Sequence, residues 1–156
     1  MKMIVIVLVT AFLALSCGVT DNEDDVNEED FSGITERDVN GAPGKLFDST
    51  DWLPGSCGSE GNCILDGLAA YPNPCINEVF FQYTILKPGL IRIVLNDKPG
   101  KELLVLEYKY LAAGTYVYRL DIWQNNLKPG IYRIYIELEP AGGNIIKSFG
   151  DIQVKI

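Results

Sequence analysis

The sequence predicts an all-β protein, an antiparallel β-sandwich of about seven strands filling the C-terminal half. Short runs from Val79 onward alternate apolar and polar residues with a period of two, the pattern of a strand with one buried and one wet face. Turn signals separate these runs at regular spacing, most plainly Lys87-Pro88-Gly89, Lys98-Pro99-Gly100 and Lys128-Pro129-Gly130. Proline and glycine at this density suit no helix interior, so helix content is expected to be near zero. A sheet cannot bury its apolar face alone, so two sheets must stack.

The elements follow in order. Residues 79–85, with Phe81, Tyr83 and Ile85 on one face, form a strand closed by Pro88-Gly89. Residues 90–95 form the next, closed by Pro99-Gly100, and 103–108 the third, ending before Ala113-Gly114. Residues 116–122 and 131–138 alternate, with Pro129-Gly130 between them and Pro140-Ala141-Gly142-Gly143 after. Residues 145–149 and 152–156 make a last strand, expected to bulge at Gly150. In each Pro-Gly pair proline presets the first central dihedral of a turn, and glycine is expected to accept positive φ at the second.

The N-terminal half reads differently. Residues 46–67 are rich in Gly, Ser and Asp and show no regular element, but Leu46, Phe47, Trp52 and Leu53 are apolar enough to pack on the domain that follows. Residues 17–45 read as a tether, because Asp21-Asn22-Glu23-Asp24-Asp25 and Glu28-Glu29-Asp30 cannot bury enough surface to offset ordering entropy. A flexible coil of that length spans roughly 30 Å. The acidic run lacks the glycine of a calcium loop.

Residues 1–16 begin with Lys2, continue as an apolar run and end in small Ser16 before Cys17, the layout of a secretory signal peptide. As a helix the run is about 20 Å long, short of the roughly 30 Å of bilayer hydrocarbon. Leu13-Ala14-Leu15-Ser16-Cys17 resembles the lipobox of bacterial lipoproteins, which implies cleavage before Cys17 and diacylation of its thiol. The membrane is then a partner through the N-terminal lipid, and the cell envelope, with the outer membrane favoured, is the expected location.

A second resemblance rests on an ordered series of motifs over residues 68–156. Tyr71-Pro72-Asn73-Pro74 opens the domain; Tyr83-Thr84-Ile85, Gly89-Leu90-Ile91-Arg92 and Ala113-Gly114-Thr115-Tyr116 follow; Leu127-Lys128-Pro129-Gly130-Ile131-Tyr132 comes near the end. This series resembles the Ig-like domain of the flagellar hook-assembly scaffold and the C-terminal sorting domain of type IX secretion. The resemblance implies an Ig-like or fibronectin-like sandwich and structural roles for Tyr71, Pro72, Asn73, Pro74, Gly130 and Tyr132. Cys75 departs from it, standing where the family often has an aromatic residue.

Composition narrows the function classes. The 156-residue chain carries a formal net charge of −8, which disfavours nucleic acid as a partner. It has no histidine, and so lacks the commonest general base and zinc ligand. Asp97 with Glu102, and Asp121 with Glu137, are carboxylate pairs on paper, but no spacing puts either in one cleft. No catalytic residue, metal site, cofactor or small-molecule substrate is expected. With Cys17 assigned to lipid, Cys57, Cys63 and Cys75 are left as disulfide candidates in an oxidising compartment. Loop-closure entropy does not choose, giving about 2.4 kcal/mol for Cys57–Cys63 and about 2.9 for Cys63–Cys75. The flexible loop 58–62 favours Cys57–Cys63.

The sequence therefore leads to two functional expectations. The first is a lipid-anchored, non-enzymatic envelope module that offers a sheet edge or face to a protein partner. The alternative is a type IX secretion substrate addressed by residues 68–156.

Overall fold

A computed structural model describes residues 31, 33–57 and 63–155. Eight strands form: β1 (Gly55–Cys57), β2 (Cys63–Tyr71), β3 (Glu78–Ile85), β4 (Gly89–Lys98), β5 (Lys101–Leu111), β6 (Gly114–Asp121), β7 (Gly130–Pro140) and β8 (Ile146–Val154). No helix occurs among the described residues. One sheet runs β1-β2-β3-β6 and the other β5-β4-β7-β8, and every strand pairing is antiparallel. With β1 set aside as a three-residue extension, seven strands divide three and four between two stacked sheets. The chain is thus the all-β antiparallel sandwich that its alternation predicts.

The core lies between the sheets and follows the period-two pattern. Val79, Phe81, Tyr83 and Ile85 of β3 face Ile91, Ile93 and Leu95 of β4 and Ile134, Ile136 and Leu138 of β7, all essentially inaccessible to water. Aromatic neighbours fill the thick part of the layer, with Phe81 and Tyr118 stacked at 5.2 Å and Tyr83 and Tyr116 at 5.7 Å between ring centroids.

The glycines of the Pro-Gly pairs divide by role. Gly100, between paired Lys98 and Lys101, has φ of 66°, as the turn requires. Gly89 is different. A Cβ there would lie 2.5 Å from the Glu139 carbonyl, so it is glycine because β4 and β7 approach closely. Gly130 is not in the left-handed region either; the residue of its loop that adopts positive φ is Asn126, at 53°. The expectation that Gly130 itself supplies positive φ is corrected accordingly.

Tyr132 is fixed to the loop that precedes β7. Its ring is buried in the core, and its hydroxyl donates to the Lys128 carbonyl at 2.8 Å while accepting the Lys128 N–H at 3.0 Å. These two bonds pin the loop before β7 to the core.

Two further differences concern β2 and β8. Strand β2 starts at Cys63, inside the segment expected to be irregular, because β1 and β3 both pair with it. β8 runs in unbroken register against β7 from Gly130↔Val154 to Leu138↔Ile146, so the bulge expected at Gly150 is absent. Gly150 instead makes room for Trp52: a Cβ at Gly150 would lie 2.0 Å from Trp52 Cε2.

Candidate functional site

The two sides of the sandwich end differently, and that contrast defines the candidate site. On one side lies β8, a long strand with nothing beyond it in its sheet. Residues 33–52 and the Tyr71-Pro72-Asn73-Pro74-Cys75 turn close this edge without adding a strand. Trp52 N–H donates to the Phe149 carbonyl at 2.7 Å, and the Asp151 N–H donates to Asp51. Asn73 Nδ2 donates to the Asp151 carbonyl at 2.9 Å, and its Oδ1 accepts the Gln153 N–H at 2.9 Å. Cys75 then bonds the Gln153 carbonyl and the Lys155 N–H, each at 2.8 Å. The edge groups from Phe149 to Lys155 are thereby satisfied, which removes the usual template for unwanted strand pairing.

Asn73 is the joint of this closure. It is wholly buried, exchanges backbone hydrogen bonds with Arg37 at 2.9 Å, and donates a further Nδ2 bond to the Thr35 carbonyl at 3.2 Å. It therefore ties the 33–52 arm to β8, while Tyr71 beside it stacks on Phe80 at 5.8 Å. The peptide bonds before Pro72 and Pro74 are both cis. Replacing Asn73 with alanine is expected to destabilise the fold by about 2–4 kcal/mol, because the Gln153 N–H and two carbonyls lose their partner in a dry site. Urea unfolding checks this, and an Asn73→Ala midpoint equal to the parent's contradicts it.

Residues 33–45 lie on the sandwich, although the sequence reading assigns them to the tether. Ile34 and Thr35 are buried, Arg37 bridges Asn73 and Pro43, and the Glu36 carboxylate accepts the N–H groups of Leu46 and Lys45. Those two bonds hold the Glu36 pKa below the ordinary carboxylate value. Of the four apolar residues expected to pack from 46–67, Trp52 is buried, whereas Leu46, Phe47 and Leu53 remain more than half exposed.

The opposite side carries β5 and β6, the end strands of the two sheets, and among the described residues no strand pairs with either outer edge. β6 pairs with β3 in unbroken register and leaves Val117 exposed. β5 shows Leu103, Val105, Tyr108 and Tyr110 to solvent, with Tyr108 64% and Tyr110 63% accessible. Hydroxyls from β6 and β3 tie the two sheets together beneath this surface. Tyr118 donates to the Leu106 carbonyl at 3.0 Å, and Tyr83 donates to Glu107 at 3.1 Å. Burial, together with the Glu107 charge, keeps both phenols above their ordinary pKa and so protonated.

The remaining sequence candidates are placed as follows. Cys57 and Cys63 face each other across the β1–β2 hairpin and are joined by a disulfide. Cys75 is free and buried, and burial pushes its thiol up to about 11, leaving it a poor nucleophile. Cys17, the signal peptide and the acidic blocks lie outside the described residues. Asp97 and Glu102 line different clefts, and Glu102 pairs with Arg92. Asp121 belongs to β6 in one sheet, while Glu137 on β7 in the other binds Arg92 at 3.0 Å and Lys147 at 2.9 Å. Burial opposes ionisation of Glu137, but the hydrogen bonds from Lys147 and Arg92 outweigh it and lower its pKa. Among the described residues no group of three or more His, Cys, Asp or Glu side chains is placed to hold a metal ion.

Sequence reasoning missed the acidic pair of half-buried Asp51 and buried Asp151. Arg133 grips Asp151 with two bonds, Nε to Oδ1 at 2.7 Å and Nη2 to Oδ2 at 2.9 Å. Its guanidinium lies over the rings of Phe31 and Phe149, at 4.8 and 4.5 Å from their centroids. A charged residue on the outer face of an alternating strand reads as solvated, so only the covering arm reveals that Arg133 and Asp151 are dry.

Fold and site together define a class: a β-sandwich domain with one edge closed by its own N-terminal arm and the opposite edges free. No family model matches the chain, and neither a curated protein nor a solved structure matches it.

Proposed function

We propose that the protein is a lipid-anchored cell-envelope lipoprotein whose sandwich serves as a non-enzymatic interaction or structural module. The supporting observation is the contrast between the edges: β8 is closed residue by residue, whereas β5 and β6 keep free edges and exposed Tyr108, Tyr110 and Val117. Free strand edges accept a partner's strand by backbone pairing, and aromatic residues beside them supply area at low entropic cost. The lipobox resemblance at Cys17 supplies the anchor, and the acidic tether the reach. The partner is a protein of the envelope.

A photo-crosslinking residue at Tyr110 tests both halves in intact cells. Envelope-protein adducts are expected from Tyr110 and not from Gln153 on the closed edge. With Cys17→Ser, both the adduct and incorporation of labelled fatty acid are expected to disappear. Equal adducts from the two positions argue against the surface, and labelling unchanged by Cys17→Ser rejects the anchor.

A further inference from the structure

The arm that closes β8 docks through a cluster holding more acid than base. Asp51 at the end of the arm accepts the Asp151 N–H from β8 and, at 3.1 Å, the Thr35 N–H from the start of the arm. Asp151 carries a second carboxylate against it. Asp48, also on the arm and held by Thr50, adds a negative field at Asp151. The described cation facing these groups is Arg133 from β7, which holds Asp151 through Nε and Nη2. Among the described residues Asp51 therefore has hydrogen-bond donors but no counter-ion of its own. Burial pushes Asp51 up to about 7; the Asp151 N–H pulls against that, and the Asp151 charge adds to it. Burial also raises Asp151, with Arg133 opposing.

The same short segment carries the plug of the sandwich. Trp52 follows Asp51 directly, is 5% exposed, packs on Phe81 at 5.9 Å between centroids, and adopts φ of 60°. Its indole Nε1 has no hydrogen-bond partner, so apolar contact and the arm's hydrogen bonds hold it in place. Whatever loosens Asp51 loosens the plug and uncovers β8 at Phe149 and Asp151.

We propose that residues 33–52 are a pH-gated strap on β8, closed while the Asp51–Asp151 pair carries a proton and opened when both carboxylates ionise beside a single guanidinium. The sign follows from linkage. A carboxyl whose folded pKa lies above its unfolded value favours the closed state below the ordinary carboxylate range, and that contribution is lost as pH rises through the folded value, about 7 for Asp51. Opening frees the Phe149 carbonyl and the Asp151 N–H at mildly alkaline pH, while Asn73 and Cys75 keep the edge from the Asp151 carbonyl to Lys155 paired.

The two tryptophans make this measurable in the full chain, since Trp52 is buried and Trp123 is 60% exposed. In a Trp123→Phe background, Trp52 emission is expected to shift to the red between about pH 5 and about pH 9. The midpoint is expected near 7, with the far-ultraviolet β signal unchanged. Adding Asp51→Asn is expected to abolish the transition. Hydrogen exchange in the parent chain, corrected for intrinsic rates, gives a second reading. The Asp151 and Trp52 amides are expected to lose protection over the same range, while the Ile93 and Ile136 amides keep theirs. The proposal is overturned by constant Trp52 emission and protection, by loss of all protection together, or by an Asp51→Asn chain that follows the parent's transition.

Discussion

Gly150→Ala is expected to destabilise the protein by about 3–5 kcal/mol, as much as the loss of a large core side chain. The new Cβ would lie 2.0–2.3 Å from three ring atoms of Trp52, and these belong to a buried indole, not to the far end of a flexible chain. The indole cannot tilt away, because Phe81 lies on its other side and Gly67, which faces Ser148 and the same ring, leaves no more room. Backbone strain is no part of the cost, since Gly150 sits in regular register opposite Ile134. The alanine instead expels Trp52. A double-mutant cycle separates this from a general intolerance of β8. Trp52→Ala alone is expected to cost about 3–5 kcal/mol, and Gly150→Ala added to it little more. Urea midpoints at constant slope give the comparison, and additive costs for the two changes would falsify the account.

Gly150 also shows what in this fold is legible from sequence. Strands β3 and β7 are plain because their burial follows their alternation, Val79-Phe81-Tyr83-Ile85 and Tyr132-Ile134-Ile136-Leu138. The Cys57–Cys63 bridge is legible too, since the two residues flank a short glycine-containing loop. β2 is not. Asp66-Gly67 and Ala69-Ala70 have weak strand propensity, and pairing with β1 and β3 places them in the sheet. Gly150 reads as a break in a strand because glycine there has a local explanation. Its actual cause is an indole 98 positions earlier in the chain, and no periodicity links the two.

The closed edge is illegible for a related reason. Sequence patterns report apolar burial, whereas β8 is sealed by polar groups: Asp51, Asn73 and the backbone of Trp52 and Cys75. Residues 33–52 look like linker because their contribution is hydrogen bonds and one tryptophan. Asp51 and the Asp151 N–H it accepts are 100 positions apart. The Tyr-Pro-Asn-Pro segment was legible as a motif, but that its asparagine joins the arm to the edge strand follows only from the three-dimensional partners.

Arg133→Met is expected to cost about 3–5 kcal/mol near neutral pH, because removing one member of a buried pair strands the other as an uncompensated charge. The side chains of Arg133 and Asp151 are 8% and 2% accessible, so water does little to rescue Asp151. Methionine keeps the length that packs against Phe31 and Phe149, so the change probes charge and hydrogen bonding more than volume. The loss should depend on pH in a stated direction. Without Arg133, protonation is the remaining way to neutralise Asp151, and Asp51 beside it is already raised to about 7. The deficit is therefore expected to shrink toward about pH 5 and to grow toward about pH 8, each unit of pKa being worth about 1.4 kcal/mol. Arg133→Met with Asp151→Leu is expected to recover part of the stability, since an apolar pair leaves no buried charge; the N–H that Asp51 accepts is unaffected because it comes from the backbone of residue 151. Equal deficits at the two pH values, with no recovery in the double variant, would show that Arg133 acts through packing and that Asp151 finds its neutrality elsewhere.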